Sequence, residues 1–79
     1  MKDIRILGTG CAKCVATLKL IQTIAEERHF QGNIRKVEDI MDILEYGVMS
    51  TPAVVIDGKV VLAGDVPDRK TVEGWFDTL

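Results

Sequence analysis

Two thiols three positions apart, Cys11 and Cys14, are the only cysteines of the chain and the residues best suited to covalent chemistry. They lie in Gly8-Thr9-Gly10-Cys11-Ala12-Lys13-Cys14, a glycine-rich turn that opens a long helical pattern. With Cys11 at the first helical turn, the two Cα atoms fall within disulfide distance without backbone distortion, so the pair can open and close reversibly. A bridge across so short a loop removes little unfolded-state entropy, because the stabilisation reaches ~3 kcal/mol only near fifteen residues. The pair is therefore a poor staple and suits a redox centre. The same two thiolates also suit a soft monovalent metal ion. A structural zinc site needs four ligands, and the single histidine, His29, lies about fifteen helical residues from Cys14, roughly 22 Å at 1.5 Å per residue.

The surrounding pattern predicts the elements that hold this turn. Lys2 to Leu7, rich in β-branched residues, reads as a strand that stops at Gly8-Thr9-Gly10. From Cys11 to about His29, Cys14, Leu18, Ile21 and Ala25 recur on one helical face, widened by Val15 and Ile24. Gln31-Gly32-Asn33 ends that helix, and Ile34 to Val37 makes a short second strand whose Arg35 and Lys36 suit a sheet edge. Asp39 can cap a second helix with Ile40, Ile43 and Leu44 as its buried stripe and Gly47 as its left-handed stop. After Pro52, the runs Ala53 to Ile56 and Val60 to Leu62 flank Asp57-Gly58, a strong hairpin signal. Neither run alternates, which predicts helices on both faces of the sheet. Following the loop Gly64 to Pro67, Asp68 can cap a last helix in which Val72, Trp75, Phe76 and Leu79 keep core spacing. The order βαβαββα predicts an α/β fold, a four-stranded mixed sheet with its first two strands parallel and its last two antiparallel.

Composition narrows the function. Seventy-nine residues, 47% apolar and 28% charged, predict a single folded domain over residues 1–79. Ten basic and twelve acidic side chains give a net charge of −2 without any block of one sign, which argues against nucleic acid or an anionic membrane as partner. The first strand is short and carries Arg5, so neither a signal peptide nor a membrane span is expected, and the chain reads as a cytoplasmic monomer. In a reducing compartment a two-cysteine motif is more often catalytic or metal-binding than structural.

The element order, the Cys-x-x-Cys between the first strand and helix, and Thr51-Pro52 before the third strand together resemble the thioredoxin and glutaredoxin superfamily along the whole chain. The length resembles its small archaeal and bacterial redox-active disulfide proteins. The resemblance implies a thioredoxin-like fold and a thiol–disulfide oxidoreductase that reduces protein disulfides, with no cofactor beyond the cysteine pair. It implies Cys11 as nucleophile and Cys14 as resolving thiol. A helix N-terminus stabilises a thiolate, and Lys13 adds a nearby cation that would tune it. Pro52 would be cis, leaving the backbone of Thr51 to pair with substrate. The implied partners are disulfide-containing proteins and a flavin-dependent, thioredoxin-reductase-like electron donor.

The sequence also departs from that family. Ala-Lys separates the cysteines, no tryptophan precedes Cys11, and Arg5 stands where thioredoxins carry a buried acid, so proton transfer at Cys14 must use another group. Ala63-Gly64-Asp65 is similar to the glutathione-holding loop of glutaredoxins, but the lysine they carry before the cysteine motif is absent. The alternative function is a soft-metal carrier, because residues 8–14 also resemble the cysteine loop of copper chaperone domains. Those domains end in a strand, whereas this sequence ends in a helical pattern. Of the remaining residues, His29 reads as a cation at a helix C-terminus, Trp75 and Phe76 as core, and Tyr46 and Met49 as packing near the proline loop. Gly8-x-Gly10 fails as a nucleotide fingerprint because Lys13 occupies the third glycine position.

Overall fold

The computed structural model describes residues 2–79. Its elements are β1 (Lys2–Leu7), α1 (Ala12–Glu27), β2 (Gly32–Val37), α2 (Ile40–Glu45), β3 (Ala53–Ile56), β4 (Lys59–Ala63) and α3 (Arg69–Thr78), in the order the sequence pattern predicts. The four strands form one sheet in the order β2-β1-β3-β4. β1 runs parallel to β2 and antiparallel to β3, and β3 runs antiparallel to β4. The first two strands follow one another through α1, the crossover that a parallel pair requires.

Alternation along β1 and β3 divides the core into two layers. Ile4, Ile6 and Val54 face one side, where they meet Ile21 and Ile24 of α1 and Val72 of α3. Leu7, Ala53 and Val55 face the other, where they meet Ile43 of α2 and Val48. The sheet thus has helices on both faces. A fully buried side chain of this size contributes about 1.5–3 kcal/mol, so the larger layer under α1 and α3 holds most of the apolar stabilisation. Trp75 and Phe76 pack against that layer as their spacing predicts, and Phe76 meets Phe30 edge-to-face at 5.2 Å.

The details differ from the sequence pattern where local chemistry intervenes. α1 ends at Glu27, and His29 takes a left-handed φ of 53°. The amides of His29 and Phe30 return to the carbonyls of Glu26 and Ala25, so the left-handed stop falls at His29, ahead of the expected Gly32. Gly32 is the first residue of β2 and no helix stop: a Cβ there would stand 2.5 Å from the Lys2 carbonyl oxygen and 2.6 Å from the Phe30 ring. Val15 is 43% exposed, and buried Thr17 takes its place on the core face. The Thr17 hydroxyl donates to the Lys13 carbonyl at 2.8 Å, which satisfies it in an apolar layer.

In α2 only Ile43 is buried; Ile40 and Leu44 are more than half exposed, because six residues touch the sheet along one line rather than a stripe. Asp39 caps the helix and Gly47 closes it at φ 75°, as expected. Met49 does not pack near the proline loop; it is 95% exposed. Tyr46 does turn inward, and its hydroxyl accepts a hydrogen bond from Arg5 Nη1 at 2.7 Å.

In the hairpin, Asp57 and Gly58 both adopt positive φ, the backbone a two-residue primed turn needs. Val55 pairs with Val60 and Val54 with Leu62, so Val61 is an extra residue in β4. That bulge is why Val60 to Leu62 fails to alternate, and not burial on both faces: Val60 is 37% exposed on an edge strand.

Candidate active site

The cysteine loop hangs between two fixed points. Upstream, buried Leu7 ends β1, and the Gly8 amide donates to the Val37 carbonyl at 2.9 Å, so the parallel ladder continues one residue into the loop. Downstream, α1 starts with Cys11 as its N-cap, extended at φ −65° and ψ 163°. Between them Gly10 turns the chain at φ 91°, a conformation open to glycine and costly for other residues.

Cys11 and Cys14 are joined in a disulfide with their Cα atoms 5.0 Å apart. Their surroundings differ sharply. Cys11 is exposed, whereas Cys14, one turn into the helix, is 6% exposed beneath it. Cys11 Sγ accepts a hydrogen bond from the Cys14 amide at 3.2 Å, and the Cys11 carbonyl accepts from the Val15 amide at 2.9 Å. The sulfur therefore does the work that Ser or Asp performs at other helix starts, satisfying one of the unpaired first-turn amides. When the bridge is reduced, the same amide and the positive end of α1 favour negative charge on that sulfur. Lys13 lies between the two sulfurs in sequence and is exposed on the first turn.

Thr51-Pro52 reaches this site through the sheet. Ala53 pairs with Leu7, so Pro52, one residue earlier on an antiparallel strand, lies level with Gly8 at the mouth of the cysteine loop. The Thr51-Pro52 bond is cis, Pro52 is buried and Thr51 half-buried. The Pro52 carbonyl accepts from the Gly64 amide at 2.9 Å, which fastens the proline loop to the end of β4. Gly64 has φ 94° and sits against Ser50.

Arg5 faces the α2 side of the sheet. Its Nε donates to the Asp3 carboxylate at 2.8 Å, and with the Tyr46 contact this raises the guanidinium above its ordinary value. It contributes no proton acceptor to the cysteines. His29 lies beyond the far end of α1 and takes no part in the site. Among the described residues no three His, Cys, Asp or Glu side chains are grouped to hold a metal ion. Two features escaped the sequence pattern. One is the close contact of Gly8 with Cys14; the other is Glu38, just past β2, which reaches back toward Gly10.

Comparison with known proteins points the same way. The family model described as thioredoxin domain matches residues 2–77. A thioredoxin of Methanocaldococcus jannaschii is 37% identical over 73 residues, spanning 92% of this chain and 84% of that protein. A thioredoxin of Methanothermobacter thermautotrophicus is 29% identical over 73 residues, spanning 92% and 95%. The family match runs from the first strand into the last helix and takes in both the cysteine pair and the cis-proline loop, so this chain belongs to the thioredoxin domain family.

Proposed function

We propose that the thiol–disulfide exchange of this oxidoreductase runs through Cys11 as attacking thiolate and Cys14 as resolving thiol, with protein disulfides as substrates. The observation that carries this assignment is the unequal burial of the two bonded sulfurs, one exposed at the N-cap of α1 and one 6% exposed beneath it. From the reduced state, the Cys11 thiolate attacks one sulfur of a client disulfide. A Cys11–client bond forms, the client's own S–S bond breaks, and the departing client sulfur takes a proton. Cys14 then gives up its proton and attacks Cys11. The intramolecular bridge forms, the Cys11–client bond breaks, and the second client thiol is released, two electrons having moved to the client.

Lys13 tunes the Cys11 thiolate through its charge, and the backbone of Thr51 pairs with the client segment beside Pro52. Both roles fit their exposed or half-exposed places at the loop mouth. A thioredoxin-reductase-like donor returns the two electrons, and the cysteine pair itself is the only redox group required. The reading is of a single domain working as a monomer in the reducing cytoplasm, where such a dithiol is kept cycling.

The test is trapping. Cys14→Ser, mixed with oxidised protein substrates, should accumulate stable mixed disulfides through Cys11, seen as mass adducts that dithiothreitol releases. Cys11→Ser should form none. Adducts at residue 14 in Cys11→Ser, with none in Cys14→Ser, would reverse the assignment.

A further inference from the structure

Resolution by Cys14, on the reading just given, requires a buried thiol to lose its proton. Arg5 is committed to Asp3 and Tyr46 and supplies no acceptor. On the α1 side, a pocket of about 150 Å³ opens beside Cys14, between the start of α1 and the ends of β1 and β2. Ile6, Val15 and Leu18 give it apolar walls, and the charged residues that line it are Lys36 and Glu38. Glu38 Oε2 lies 3.6 Å from the point where a Cβ on Gly10 would stand, so the carboxylate leans over the cysteine loop. Lys36 Nζ is 3.8 Å from Glu38 Oε1. Among the described residues, the titratable groups lining it are Cys14 from α1 and Lys36 and Glu38 from β2 and the residue beyond it, with none from β1 or the loop after it.

We propose that Glu38 accepts the Cys14 proton through water in this pocket, as a catalytic base for the resolving step. A pocket needs only ~10–15 Å³ of such space to admit one water, and the carboxylate and ammonium provide its polar partners. The Cys14 S–H proton passes to the water, and a water proton passes to the Glu38 carboxylate. The electron pair left on Cys14 attacks the Cys11 sulfur of the mixed disulfide, and the client sulfur leaves with the electrons of the broken bond. In the reverse direction the Glu38 carboxylic acid returns the proton as Cys14 is released from the bridge.

The experiment is a single turnover of the reduced protein with limiting 5,5′-dithiobis(2-nitrobenzoate), followed by stopped flow across pH. Attack by Cys11 releases the first thionitrobenzoate and resolution by Cys14 the second. Cys14→Ser checks the underlying assignment separately: it should release the first equivalent only, and release of both would remove the assignment rather than the role of Glu38 alone. With that established, Glu38→Gln should leave the first phase unchanged and slow the second by about tenfold or more near neutral pH, within the range of general acid–base effects. The gap should close as pH rises and hydroxide takes over. The direction is diagnostic. Removing a negative charge beside Cys14 would by its field alone make the thiolate easier to form and speed the second phase. A second phase that is unchanged or faster in Glu38→Gln, or a slowing of both phases together, overturns the proposal.

Discussion

Gly8 and Cys14 are in such close contact that residue 8 has no room for a side chain: a Cβ there would stand 2.8 Å from the Cβ of Cys14 and overlap its Sγ. The buried sulfur rests on the backbone of the strand that carries the loop. Gly8→Ala should therefore destabilise the protein by about 1–3 kcal/mol, the usual cost of overpacking. Urea denaturation of the oxidised and reduced forms measures it. An unchanged midpoint would mean the loop relaxes freely around Cys14.

Cys11 has a structural role beside its chemical one, because its sulfur caps α1. Both Cys11→Ser and Cys11→Ala should lose disulfide reduction. The serine variant should be the more stable by about 0.5–2 kcal/mol, since a hydroxyl caps well and a methyl group does not. Denaturation of the two variants under reducing conditions tests this, and equal stabilities would show that the Cys14 amide finds another acceptor.

Gly64 supports the proline loop through its amide while holding φ 94°. Gly64→Ala puts a Cβ 3.3 Å from that of Ser50 in a backbone region unfavourable to L-residues, a cost of about 1–2 kcal/mol. If the proposed docking of client backbone at Thr51 holds, exchange with protein disulfides should slow more than exchange with a small disulfide, which does not need that edge. The ratio of the two rates is the readout.

Asp68 caps α3, accepting from the Thr71 amide at 2.8 Å. Hydrogen bonding by the Thr71 side chain, then by its backbone, with a smaller contribution from the Lys70 charge, holds the carboxyl below its ordinary value. A carboxyl lowered in the folded state stabilises fully above its unfolded value, near 3.9, and loses that contribution as pH falls through the folded one. Asp68→Asn should thus lower Tm at neutral pH and approach the wild-type Tm in acid. Parallel Tm curves down to the acid limit would show that ionisation contributes nothing to the cap.

Met49, 95% exposed three residues before Pro52, offers the clearest separation of binding from folding. Met49→Ser should leave the denaturation midpoint within about 0.5 kcal/mol. It should also raise KM for a protein disulfide while sparing a small one. Equal KM values for both substrates would place Met49 outside the client-facing surface.

Much of this was legible in the sequence because the signals were local. The Asp57-Gly58 turn, the caps at Asp39 and Asp68, and the spacing of Val72, Trp75 and Phe76 each depend on neighbours a few positions away, and the structure keeps them. The cysteine pair and Thr51-Pro52 carried the family resemblance. What stayed hidden depended on contacts between distant segments. Gly32 looks like a helix stop until Lys2 and Phe30 are brought against it. Val61 looks like an ordinary paired strand residue until the register with β3 shows it to be the extra residue of a bulge. The exposure of Ile40 and Leu44 follows from how short a line α2 shares with the sheet, which hydrophobic spacing does not encode. Glu38 follows an ordinary strand in the sequence and becomes interesting only beside the pocket that Cys14 lines.

The two rims of the sheet have a consequence for how copies of this chain meet. β2 carries Arg35 and Lys36 along one rim, and the surplus Val61 interrupts the other next to Lys59. Two copies aligned along β2 would crowd cations together, and two aligned along β4 would lose register at the bulge. Lateral growth into ribbons is opposed on both sides, so this small oxidoreductase carries in its two edge strands a safeguard against stitching itself into an aggregate.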